Sequence, residues 1–115
     1  MVVVLSIAMN EKLERIVADS NGIEVSTEAR GHSVPREKVA WRDVGAVKRI
    51  EVYVRKVSRG GSDNFLRREF VLLSRDGVEL LNLSDPLGPP EAYQRFLDSI
   101  PVWTNLAVQE DTVRR

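Results

Sequence analysis

Apolar and polar side chains alternate along residues 47–57, where Ile50, Val52 and Val54 are interleaved with Glu51, Tyr53 and Arg55. A period of two is that of a strand with one buried face. Residues 65–74 predict a second strand, with the apolar run 70–73 as its buried part. Asp76 and Gly77 then give an Asp-Gly hairpin signal, and residues 78–83 return as a third strand. Together these make an antiparallel meander.

Nearer the N-terminus the pattern is mixed. Leu13, Ile16 and Val17 fit a helical face, but Asn21-Gly22 is a strong hairpin signal. Strand–turn–strand is therefore expected over residues 15–27, with Ile23 and Val25 on one face and residues 11–14 as one helical turn before it. Residues 28–38 are polar and contain Gly31 and Pro35, which predicts a loop or an irregular edge strand. The first nine residues are apolar-leaning and read as an N-terminal strand or as the stub of a transmembrane helix. Nine are far too few to cross a bilayer, which takes about 20.

The period changes after residues 84–90. Pro90 suits the first turn of a helix. Tyr93, Phe96, Leu97 and Ile100 then fall at i, i+3, i+4 and i+7, one apolar stripe opposite Glu91, Arg95 and Asp98. Pro101 is expected to stop that helix. Val102 and Trp103 are expected to pack, and residues 109–115 to fray as a tail. The organisation that follows is an apolar start (1–10), one domain (11–103) and a C-terminal tail (104–115). The fold class is α+β: an antiparallel sheet curled into a roll, with the amphipathic helix closing its open end.

Composition narrows the chemistry. The chain has 115 residues, 43% hydrophobic and 30% charged, the profile of a single globular domain. It has no cysteine, which excludes a disulfide framework, a thiol nucleophile and a zinc-thiolate site. Seventeen basic and seventeen acidic residues cancel, which argues against bulk attraction to nucleic acid or anionic membrane. A local excess remains. Over residues 48–69 the seven cations Lys48, Arg49, Arg55, Lys56, Arg59, Arg67 and Arg68 meet only Glu51, Asp63 and Glu69. That cluster is the candidate ligand-binding patch for an anionic group, although basic residues on a solvated hairpin are its ordinary meaning. Only Tyr53 and Phe65 interleave with the charges, which makes nucleic acid an unlikely partner.

His32 is the sole histidine and sits in a polar stretch, so no familiar metal cluster is expected. Asp19, Glu24 and Glu28 lack calcium-loop spacing. Ser6, Ser20 and Ser33 lie in no nucleophile-elbow context. No cofactor and no catalytic residue are expected. Trp41 reads as a structural anchor, since its large ring needs burial and one acceptor for its N–H. Asp43 is expected to satisfy backbone N–H groups at the turn that follows.

The sequence Val39-Ala40-Trp41-Arg42-Asp43-Val44, the long alternating strand, the Asp-Gly hairpin and the Pro-led helix together resemble the bacterial pleckstrin-homology-like domains over residues 13–100. In that group a short strand ends in a tryptophan–polar–acidic–aliphatic motif before the next long strand. Residues 28–38 are longer and more polar than the pattern. The resemblance implies a non-enzymatic binding module, cytoplasmic and set at the inner face of a membrane, that contacts an anionic group, an anionic lipid or a protein partner. Its contact surface would be the basic hairpin or the groove between sheet and helix. The alternative is a self-assembly domain that pairs through the strand at residues 2–8.

Overall fold

The computed structural model describes residues 2–9, 12–29, 32–55, 63–85 and 87–114. The described elements are, in order, β1 (Val3–Met9), β2 (Lys12–Ala18), β3 (Gly22–Ala29) and β4 (His32–Ala40), then a 3-10 turn (Trp41–Asp43). They continue with β5 (Val44–Arg55), β6 (Asp63–Ser74), β7 (Glu79–Asp85), the helix α1 (Pro90–Thr104) and β8 (Val108–Arg114). The class is α+β, with two four-stranded sheets and one helix among the described residues. The first sheet is ordered β1-β2-β3-β4 and the second β7-β6-β5-β8. Every pairing between named strands is antiparallel except that of β5 with β8.

The inner faces of both sheets and one side of α1 contribute to a single core. In the first sheet the inner rows run Leu5–Ile16–Val25 and Val3–Ala18–Ile23–Val39, as the register sets them opposite one another. In the second they run Val47–Leu72–Leu81 and Phe70–Leu83. Phe96 of α1 sits between these walls, fully buried.

Several expectations are corrected. Lys12, Leu13 and Glu14 are already strand, so there is no helical turn there. One expectation holds: residues 32–40 form β4, an irregular edge strand whose pairing with β3 carries a bulge between Val25 and Ser26. Pro35 costs such an edge little. Alternation along β5 holds, but its core-facing row starts at Val47 and runs on to Arg49 and Glu51. Ile50 and Val52 lie on the opposite face, beside Val71 and Val113. The helical stripe is centred on Ala92, Tyr93, Phe96, Ser99 and Ile100, and Leu97 falls to its half-buried margin.

Pro101 does not end α1, which runs one further turn to Thr104. A proline inside a helix loses one backbone bond and costs about 3 kcal/mol. The extra turn is held by side chains. The Trp103 ring stacks on Trp41 at 6.0 Å. Thr104 Oγ1 donates to the Ile100 carbonyl (2.7 Å) and accepts from Leu106 N–H (3.0 Å). Asn105 closes the helix at φ 60°, its N–H donating to the Pro101 carbonyl.

The segment expected to fray is also ordered. Residues 108–114 are β8, running parallel to β5. A short 105–107 link lets the chain leave α1 and pair with β5, and Leu106 and Val108 pack on the core on the way.

Candidate functional site

The chain makes one corner where the hairpin β2–β3, the end of β4, the 3-10 turn, the β6–β7 turn and the last turn of α1 meet. Its foundation is the turn Asp19–Gly22. Asp19 Oδ1 accepts from Asn21 N–H (2.8 Å) and Gly22 N–H (3.2 Å), and Asp19 N–H donates to the Gly22 carbonyl (3.0 Å). That is the turn-stabilising role expected of Asp43, whose side chain is exposed. Asp19 takes it because it immediately follows the last paired residue of β2, where the turn's N–H groups are within reach of a short carboxylate.

Trp41 is clamped onto this turn. Its backbone N–H donates to the Asn21 carbonyl (3.1 Å) and its Nε1–H to the Asp19 carbonyl (2.6 Å). The ring is buried between Trp103 and Phe96. Two glycines bring the backbones close enough for this to form. A Cβ on Gly22 would stand 2.2 Å from the Val39 carbonyl oxygen, and one on Gly45 would stand 2.6 Å from Arg75 Cα. Gly45 is also the extra residue where β5 bulges against β6.

An open groove of about 1050 Å³ runs over this corner. Trp41 and Trp103 form part of its wall, with the cations Lys38, Arg42 and Arg75 and the carboxylates Asp19, Glu24 and Asp43 around them. Arg75 is positioned by a hydrogen bond from Nη2 to the Arg42 carbonyl (3.2 Å). Among the described residues, Lys38, Arg42 and Arg75 take part in none of the ion pairs.

The basic cluster of the second sheet is arranged differently. A strand sends neighbouring side chains to opposite faces, so Lys48 and Arg67 lie on the outer face and Arg49 and Arg68 on the inner one. Each also faces a carboxylate. The pairs are Lys48 Nζ with Asp111 (3.9 Å), Arg49 with Glu110 (3.2 Å), Arg67 with Glu69 (2.7 Å) and Arg68 with Glu51 (2.6 Å). The Arg49 guanidinium also stands 5.6 Å from the centre of the Tyr93 ring. Lys56, Arg59 and the side chain of Arg55 lie outside the described residues. The structure therefore does not gather Lys48, Arg49, Arg67 and Arg68 into one unpaired anionic-ligand patch.

Glu51 has a second partner, the Tyr53 hydroxyl, which donates to Oε2 at 2.8 Å. The Tyr53 hydrogen bond, then the Arg68 hydrogen bond, hold the Glu51 carboxyl below its ordinary value, and the Glu51 carboxylate raises the Tyr53 hydroxyl. For a carboxyl depressed in the fold, the stabilisation is complete above its unfolded pKa and is lost as pH falls through the folded value. A carboxyl-carbon NMR titration should find Glu51 protonating below the ordinary glutamate range, and Tyr53→Phe should move it back up. A Glu51 that titrates in the Tyr53→Phe variant as low as in the wild type would contradict this assignment.

His32 and Ser33 are exposed on β4, and Ser20 on the β2–β3 turn. Ser6 joins β1 to the segment before α1 through two backbone bonds with Gly88 (2.8 and 3.1 Å). Among the described residues no group of three acidic or histidine side chains is placed to hold a metal ion. No helix among them is long and apolar enough to cross a membrane. Comparison with protein-family models, with curated proteins and with solved structures returns no match to this chain.

Proposed function

We propose that this chain is a non-enzymatic interaction module of the pleckstrin-homology-like kind, closed as a roll, that binds an extended protein segment in the groove at the Trp41–Trp103 corner. The carrying observation is that groove: a partly exposed indole and three cations outside the ion pairs among the described residues, on a base of glycine-permitted backbone contacts. Aromatic and arginine side chains are the groups that most often anchor protein partners. The same groove carries three carboxylates. Mixed charge suits a protein segment with both signs better than a uniformly anionic membrane or lipid head group.

The fold resemblance supports the reading. Trp41-Arg42-Asp43 stands before the long strand β5, Asp76-Gly77 between β6 and β7, and Pro90 at the start of α1, which are the motifs the resemblance rests on. A cytoplasmic setting near a membrane belongs to the same proposal. Self-assembly through β1 has less to favour it, because Gly88 already occupies the middle of that strand's outer edge.

The test is selection of peptides from a displayed random library, followed by NMR mapping on the full chain. Selected peptides should shift Trp103, Arg42 and Arg75, and Arg42→Glu with Arg75→Glu should weaken them about tenfold or more. Peptides that bind the double variant unchanged would refute the groove. Binding to anionic vesicles that is lost in Arg55→Glu and Lys56→Glu, with no peptide effect at Arg42 or Arg75, would favour a membrane surface instead.

A further inference from the structure

β8 covers the edge of β5 that faces away from β6. It buries little of itself: of residues 108–114 only Val108 and Val113 are half-buried, and the other five are exposed. With almost no apolar anchor, it is held by its backbone ladder to residues 47–53 and by charge. The register sets Glu110 opposite Arg49 and Asp111 opposite Ile50, two residues from Lys48 and on the same face. The result is two ion pairs, Arg49–Glu110 at 3.2 Å and Lys48–Asp111 at 3.9 Å, whose acidic side chains are 74% and 52% exposed. Exposed pairs of this kind are weak and are screened by salt. Edge strands that bury few apolar contacts are also among the first elements to open locally.

We propose that β8 is a displaceable cover, and that the β5 edge beneath it is a docking edge for an acidic, extended segment of a partner protein. The segment would enter as β8 does, parallel to β5, with carboxylates at the positions of Glu110 and Asp111. Strand addition supplies the backbone hydrogen bonds, and Lys48 and Arg49 select the charge. The short 105–107 link keeps β8 at high effective concentration. The edge is therefore masked in the free chain, and a partner's apparent affinity falls by the fraction of chains that are open. This surface is separate from the corner groove and does not depend on it.

The experiment uses the full chain, wild type and E110K/D111K, with a fluorescein-labelled peptide of the sequence of residues 106–114 as probe. At low salt the variant should bind the peptide about tenfold more tightly than wild type, since its own strand no longer matches the edge. A peptide with lysine at both acidic positions should bind neither protein. In free wild type, β8 amides should exchange faster than those joining β5 to β6. Equal binding by the two proteins overturns the proposal, as does no binding by a variant whose β5–β6 amides stay protected. If E110K/D111K does not fold, Glu110→Gln with Asp111→Asn replaces it. That pair should show a smaller gain in the same direction, and no gain overturns the proposal.

Discussion

Replacing Phe96 by alanine should lower the unfolding free energy by about 3–5 kcal/mol, the range for emptying a large aromatic from a core. Phe96 is fully buried. Its ring lies 5.3 Å from Phe70 of β6, 6.4 Å from Trp41 and from Tyr93, and 6.5 Å from Trp103. It is thus the side chain through which α1 meets the second sheet on one side and the corner on the other. The surrounding rings come from β6, the 3-10 turn and α1 itself, so they cannot close the void by a single shift, which places the cost in the upper part of the range. Urea unfolding followed by far-UV circular dichroism checks this, and the midpoint should fall with little change in slope. Phe96→Leu keeps much of the volume and should lose clearly less. A loss under about 1 kcal/mol for Phe96→Ala would mean that α1 does not hold the two sheets together.

The helix was legible because its signal is local. Tyr93, Phe96 and Ile100 share a face whatever they pack on, and Pro90 marks the start. The hairpins at Asn21-Gly22 and Asp76-Gly77 were legible for the same reason, since turn chemistry resides in two residues. What escaped reading depends on partners distant in the chain. β8 has a polar, exposed sequence with no apolar alternation, and its acidic residues meet Lys48 and Arg49 only once the fold sets it beside β5. The continuation of α1 past Pro101 rests in part on Trp103 finding Trp41, 62 positions earlier in the sequence. The basic cluster looked continuous in sequence, but a period of two divides Lys48 from Arg49 and Arg67 from Arg68. The corner groove could not be read at all, because its wall is drawn from four separate segments of the chain. Trp41 was singled out, yet its acceptor, the Asp19 carbonyl, is visible only once the β2–β3 turn is seen beneath it.

That clamp leads to the second large effect. Trp41→Ala should cost about 3–5 kcal/mol by the same cavity argument. Trp41→Phe should cost less, because it keeps most of the ring contact with Phe96, although it removes the Nε1–H whose bond the Asp19 carbonyl accepts. A hydrogen bond lost in this way is worth about 0.5–1.5 kcal/mol, in addition to the smaller ring. The two variants therefore separate packing from hydrogen bonding at one position. The alanine variant should also act at a distance. Trp103 loses the ring it stacks on, which leaves the turn beyond Pro101 to the Thr104 hydroxyl, the Asn105 N–H and the edge of the Phe96 ring. Amides of residues 103–106 should then exchange faster, while those of residues 93–97 stay protected under conditions where the chain remains folded. The fluorescence of Trp103, the one remaining indole, should shift to the red as it becomes solvated. If Trp41→Ala leaves that emission and those exchange rates unchanged, the last turn of α1 is held by something other than Trp41, and the aromatic wall of the groove is not one unit.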